Sequence, residues 1–356
     1  SLFLGFSSNG FATTNTTLRD QNDPDANNGA DDGYLPDLSN ATAGAGDFEI
    51  SETGLEGLAA NANIILEATN DITILSLITD GELSLPTRTM GSVSFSADTD
   101  GIGGGTFTMD TADTVGTRGG SLDIRGTGVS VGNIDNDGPD NSAGGAVDLD
   151  ASSGDLGVGD IRTNGGSDVD DSGGNAAGGV TLAGQNINLG AITARGSAAT
   201  TGTNNDGNDG DVLIAAIGSV VVGGTIDVNV AQIDISVDAD EATSDGAESL
   251  TIHATLTAAT INLDGGAVTQ NDSLVVLLAE TETATWTVNG NNAGTLTAGS
   301  SDAASFMNFS SLEGGGQADT FTFTASLSGS ASGGAGDDTF VINDGGSFAS
   351  IDGGAD

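Results

Sequence analysis

Between Gly119 and Val230 the apolar positions repeat one phrase four times: apolar-x-apolar, a short spacer, apolar-x-apolar, then one more apolar residue. The copies are Leu122, Ile124, Val129, Val131, Ile134; Val147, Leu149, Leu156, Val158, Ile161; Val180, Leu182, Ile187, Leu189, Ile192; and Val212, Ile214, Val220, Val222, Ile226. Their first positions are 25, 33 and 32 residues apart, and the length variation falls after the last apolar residue of each copy. Alternation at period two places Val, Leu and Ile on one face of a strand. One such unit cannot bury that face alone, whereas stacked units bury a continuous stripe.

The fold class this predicts is all-β: a right-handed parallel β-helix, a solenoid with acidic loops thrown from one corner. Glycines precede the copies at Gly120, Gly145, Gly179 and Gly210. They are expected at tight corners whose backbone angles other residues resist. Three segments follow from the patterning: an irregular acidic stretch over 1–47, the β-helix over 48–300, and a glycine/aspartate repeat over 301–356 that continues the solenoid as a β-roll-like end. Within the second, Leu55 and Leu58 at spacing three predict one helical turn between strands. Alternation points Trp286, the only tryptophan, toward the core; His253, the only histidine, is expected on a strand in a structural role.

Charge narrows the function classes. The chain has 51 acidic and 6 basic residues, a formal charge of −45, and no Lys or Arg follows Arg195. Binding nucleic acid through a basic surface is excluded on that balance, as is attraction to anionic lipid. No membrane insertion is expected, since the longest apolar run, Leu274 to Ala279, is six residues. There is no cysteine, so disulfides and thiolate metal sites are ruled out. No signal-peptide pattern opens the sequence, and a third copy of the terminal repeat is cut short at Asp356, so the chain reads as a fragment of something longer.

Acidic residues gather after the last apolar residue of each copy: Asp135, Asp137 and Asp140; Asp168, Asp170 and Asp171; Asp206, Asp209 and Asp211. In stacked turns these loops emerge about 5 Å apart at their roots. Two readings stand: a ladder of weak Ca²⁺ sites, or floppy solvated loops that block edge growth, the latter favoured. A further cluster, Asp23, Asp25 and Asn27, starts like a calcium loop, but its glycine falls one position late and Tyr34 stands where a closing Glu belongs.

The most specific motif lies at the C-terminal end. Residues 314–322 read Gly-Gly-Gly-Gln-Ala-Asp-Thr-Phe-Thr, and residues 333–341 read Gly-Gly-Ala-Gly-Asp-Asp-Thr-Phe-Val. The second copy fits the nonapeptide G-G-x-G-x-D-x-U-x. Asp319 and Asp338 are the sixth-position carboxylates, and Phe321 and Phe340 the apolar anchors. This stretch resembles the RTX (repeats-in-toxin) family of secreted bacterial proteins. That resemblance implies a parallel β-roll folding on Ca²⁺, with Gly333, Gly334, Gly336, Asp337 and Asp338, and also Gly314, Gly315 and Asp319, as metal-site residues. Gln317 departs from the fourth-position glycine, and the copies start 19 and 20 residues apart instead of back to back.

Residues 48–312 are similar to the repeat regions of filamentous-haemagglutinin-like giant surface proteins. The carrying phrases are Ile50-Ser51-Glu52-Thr53-Gly54-Leu55-Glu56-Gly57-Leu58 and Asn63-Ile64-Ile65-Leu66-Glu67-Ala68, with the glycine-rich units after Gly119. The likeness implies a secreted, non-catalytic adhesin, stalk or fibre segment. Its partners would be Ca²⁺, neighbouring repeats or copies of the same protein joined head to tail, and cell-surface glycans. The alternatives are a β-helical polysaccharide-active enzyme, with Asp337/Asp338 or Asp170/Asp171 as paired carboxylates, and a carbohydrate-binding module with Trp286 or Tyr34 as platform.

Overall fold

A computed structural model describes residues 16–19, 48–57, 63–78, 80–85, 91–102, 104–170, 172–200, 206–240, 247–266, 271–278 and 282–355. These residues form an all-β structure of stacked parallel strands, consistent with a parallel β-helix; its single helix, Glu52–Glu56, is the turn expected around Leu55. Leu58 lies outside the described residues. The fold divides into two compact units, residues 1–184 with 194–210, and residues 185–193 with 211–356.

In the first unit each central turn contributes three strands to three sheets. Ser121–Gly126, Val129–Val131 and Asn133–Asp135 form one turn; Val147–Ala151, Leu156–Val158 and Ile161–Arg162 form the next. Pairing is parallel, with Leu122 opposite Val147, Ile124 opposite Leu149, Val129 opposite Leu156, Val131 opposite Val158, and Ile134 opposite Ile161. Every aliphatic residue thus lies over its counterpart, and all are buried. A one-residue slip would turn that stripe to water, which fixes the register. The second unit repeats the scheme: Ile187 pairs with Val220, Leu189 with Val222, Ile192 with Ile226, and Val212 with Ile233.

Three features depart from the simple repeat. Thr16–Arg19, in the stretch expected to be irregular, is a strand hydrogen-bonded between Phe48–Ser51 and Ile72–Ile74. In the second unit Ala284–Gly290 and Ala293–Ala298 form an antiparallel hairpin, and the latter pairs antiparallel with Ala304–Met307 before parallel pairing resumes at Thr320–Phe323. The two-residue turn of that hairpin is Asn291-Asn292, with Asn292 in the left-handed region at φ 51°. Finally, the last turns carry two strands each, Thr320–Phe323 with Ser330–Ser332 and Thr339–Ile342 with Ser350–Asp352, in the manner of a roll.

The hairpin sets an aromatic column inside the second unit. Trp286 is fully buried, stacked on Phe321 at 5.5 Å, with Phe306 edge-on at 6.1 Å. Phe321 in turn stacks on Phe340 at 5.0 Å, so both expected anchors sit in one stack. His253 falls one residue past the strand Ser249–Ile252 and is exposed, although its backbone N–H still donates to Val222 O.

The corner glycines act differently from expectation. Gly120, Gly145, Gly179 and Gly210 all have ordinary φ; the left-handed residues at the first corner are Arg118, at 51°, and Gly119, at 88°. What Gly145 and Gly210 provide is closeness: a Cβ on either would collide with a backbone carbonyl, of Gly120 and of Gly178 respectively. Absence of a side chain, not freedom of φ, is what those positions require.

Candidate functional site

Two glycine- and aspartate-rich regions carry the candidate chemistry. The first is the set of loops 136–146, 163–179 and 194–210 in the first unit, in their described parts (136–146, 163–170, 172–179, 194–200 and 206–210). They are packed on one another by backbone hydrogen bonds: Gly138 N–H donates to Asn164 O, Asn141 to Ser167 O, Gly166 to Ser142 O, Gly165 to Arg195 O, Ser197 to Asn175 O, and Ala177 to Asn208 O. Backbone hydrogen bonds thus tie the described parts of these partly exposed loops to one another. Glycine is the reason: a Cβ on Gly144, Gly165, Gly166 or Gly207 would strike a carbonyl of an adjacent segment. Side-chain-free backbone approaches closely enough for strand-like bonding without regular strands.

Carboxylates brace this array from within it. Asp137 accepts from Asn164 N at 2.7 Å and from the Arg162 guanidinium. Asp168 accepts from Thr200 N at 2.9 Å and Ser172 N at 3.2 Å. The Thr200 amide, with help from its hydroxyl and from Ser172 and Gly173, holds the Asp168 carboxyl below the usual range. Asp209 accepts from Gly196 N at 2.7 Å, and Asp206 from Ala199 N at 2.8 Å. Asp170 accepts from Ser172 N; Asp171 and the cluster around Asp23 and Tyr34 lie outside the described residues. On the adjoining sheet, Arg125 bridges Asp123 at 2.8 Å, Asp148 at 3.1 Å and Asp150 at 3.7 Å.

A buried polar row at the loop roots had no counterpart in the sequence reading. Thr117, Asn136 and Thr163 are fully buried, each two positions beyond an apolar residue: Val115, Ile134 and Ile161. Thr163 Oγ1 donates to Gly178 O at 2.7 Å, and Asn136 Nδ2 reaches Gly120 O at 3.3 Å and Ala146 O at 3.4 Å. They satisfy carbonyls where the chain leaves the ladder. The fixed offset from the last apolar residue was the available signal.

The second region is the terminal repeat. Asp319 is 2 % exposed, and its two oxygens accept from Ala284 N at 2.5 Å and Gly315 N at 2.8 Å. Asp338 Oδ1 accepts from Asp319 N at 2.8 Å, so each sixth-position carboxylate holds an amide of the preceding strand segment. Burial raises the Asp319 carboxyl above its ordinary value, the two amides oppose that, and the Asp338 charge adds to it. A Cβ on Gly314 would strike Asp319 Oδ2, and one on Gly333 would strike Asp338 Oδ2. First-position glycine and sixth-position aspartate therefore interlock. Gly334, Gly336 and Gly354 take positive φ, at 96°, 111° and 77°. Gly315 O and Gly334 O accept from Ala335 N and Ala355 N of the following turn.

Of the predicted metal-site residues, Asp319, Asp338, Gly314, Gly315, Gly333 and Gly334 are brought together, while Asp337 is exposed. The donor set fits a cation only in part. Asp319 has both oxygens engaged by amides, Asp338 Oδ2 is buried with no hydrogen-bond partner, and no group of three or more Asp, Glu or His gathers anywhere among the described residues. The Asp337/Asp338 pair does not converge, since Asp337 is exposed while Asp338 accepts from the Asp319 amide. Trp286, fully buried, offers no face to a sugar.

Comparison with known proteins leaves the geometry to speak alone. No family model, curated protein or solved structure matches the chain. Among the described residues no helix is long and apolar enough to cross a membrane.

Proposed function

We infer that the chain is a non-catalytic structural segment of a large secreted bacterial surface protein, a stalk or fibre piece serving adhesion or cell–cell contact. The observation that carries this reading is the strict one-over-one stacking of the aliphatic positions. It builds length turn by turn and spends the aspartates on holding backbone. The test is antibody labelling of intact cells of the source organism, with deletion of the segment in place. Surface labelling and weakened attachment are expected; labelling only after permeabilisation would overturn the reading.

Ca²⁺ enters this reading as a stabiliser of the terminal repeat, through the orphaned Asp338 Oδ2. EDTA should then lower the melting of residues 301–356 more than that of the central turns. An equal loss, or none, counts against the ion.

A further inference from the structure

One sheet of the second unit changes the character of its outward face. Gln232–Ser236 and Thr260–Asp264 present Asp234, Asn262 and Asp264 outward. The next five strands in that sheet, Ala304–Met307, Ala293–Ala298, Ala284–Gly290, Thr320–Phe323 and Thr339–Ile342, contain no charged residue. In a chain of formal charge −45 that is a sharp local departure. Three of them carry the triplet Thr-x-Thr, at Thr285/Thr287, Thr295/Thr297 and Thr320/Thr322, with the middle residues Trp286, Leu296 and Phe321 buried.

Register turns these triplets into a lattice. Thr297, Thr285, Thr320 and Thr339 pair across successive strands in one column; Ser305, Thr295, Thr287 and Thr322 form the other. Adjacent strands lie about 4.8 Å apart on average, opposite residues of the antiparallel pairs about 4.5 or 5.5 Å apart, and the two columns about 6.8 Å apart along the strands. Each threonine offers a methyl beside a hydroxyl. We propose that this face binds ice: its two repeats are close to the oxygen repeats on a prism face of hexagonal ice, and it lacks the charged groups that would keep their own liquid-like hydration.

Other occupants fit less well. Sugar stacking needs exposed rings, and the aromatics of this sheet are turned inward, Trp286, Phe306 and Phe321 fully so. A protein interface core favours aromatic residues, Met and Arg, and only Met307 is present. Threonine is favoured in strands in general, but strand formation does not require removing charge, as Asp234 and Asp264 on the same face demonstrate.

The proposal does not depend on the adhesive or spacer role. Its test is growth of single ice crystals in solutions of the whole chain, with measurement of the freezing–melting gap. Faceted crystals and a measurable gap are expected. Thr285→Lys with Thr297→Lys, both at exposed positions, should abolish the gap while the melting curve is kept, and Thr181→Lys on the first unit should leave it unchanged. If the lysine pair disturbs folding, Thr295→Ala with Thr297→Ala replaces it and should reduce the gap severalfold. Round crystals with no gap from the unaltered chain would overturn the proposal. So would full activity in a folded double variant, or capture by crystalline cellulose or chitin without an effect on ice.

Discussion

In the loops between residues 136 and 210, glycine faces backbone: Gly166 lies against Pro139 O, Gly144 against Thr163 O. In the turns between 314 and 338 the first-position glycines face a carboxylate, Gly314 against Asp319 and Gly333 against Asp338, while Gly314 also lies against Gly333 O and Gly334 against Gly315 O. Both regions read in sequence as glycine with aspartate, yet the obstruction at Gly166 is backbone and that at Gly333 is a replaceable side chain. The aspartates differ in parallel. Asp168 is held by amides that depress its titration, whereas burial pushes Asp319 upward. Composition alone does not say whether glycine is required by the chain or by its partner residue.

That contrast can be broken most forcefully at Gly166. Gly166→Val should destabilise the loop array by about 3 kcal/mol, the upper end of ordinary overpacking, read as lost amide protection in hydrogen exchange over 136–178. Asp319→Ala comes next. It leaves the Ala284 and Gly315 N–H groups without their acceptor, for a loss of about 2–4 kcal/mol in urea unfolding of the terminal turns. Gly333→Ala should also destabilise, but less so when Asp338→Ala is already present, with a coupling of about 1 kcal/mol or more in a double-mutant cycle. No side-chain change should rescue Gly166→Ala; a rescue there would erase the distinction.

The subtlest expectation is a difference in sign with pH. Asp168 titrates below its unfolded value, so its contribution is present above about pH 4 and is lost as pH falls through the lowered folded value. Asp319 titrates above its unfolded value, so its contribution is greatest below about pH 4 and declines as pH rises through the raised value. Acidification from neutrality should therefore tighten amide protection around Gly315 and Ala284 before it loosens that of Thr200 and Ser172. Parallel responses in the two regions would contradict the assignment.

The central repeats are legible because period-two alternation has one buried solution, and within each unit the paired aliphatic residues are the ones the copies align. Alternation does not distinguish parallel from antiparallel pairing, so it does not reveal the hairpin that turns at Asn291-Asn292. Strand Thr16–Arg19 was hidden because so short a segment carries no period of its own. The glycine/aspartate motif located the Asp319 and Asp338 pair by spacing. Its spacing reads the same whether the carboxylate holds a cation or an amide, and the bonds of Asp319 to Ala284 and Gly315 are visible only in three dimensions.

The central claim, that successive copies lie parallel and directly over one another, is most directly tested by paired cysteines, since the chain has none of its own. Asp148 faces Thr181 and Asp150 faces Ala183. Adjacent strands lie about 4.8 Å apart, within disulfide reach. Asp148→Cys with Thr181→Cys, and Asp150→Cys with Ala183→Cys, should each oxidise readily to a cross-link, while Asp148→Cys with Ala183→Cys should not. Efficient cross-linking of 148 to 183 and of 150 to 181 instead would mean antiparallel copies, and would contradict the stacked solenoid.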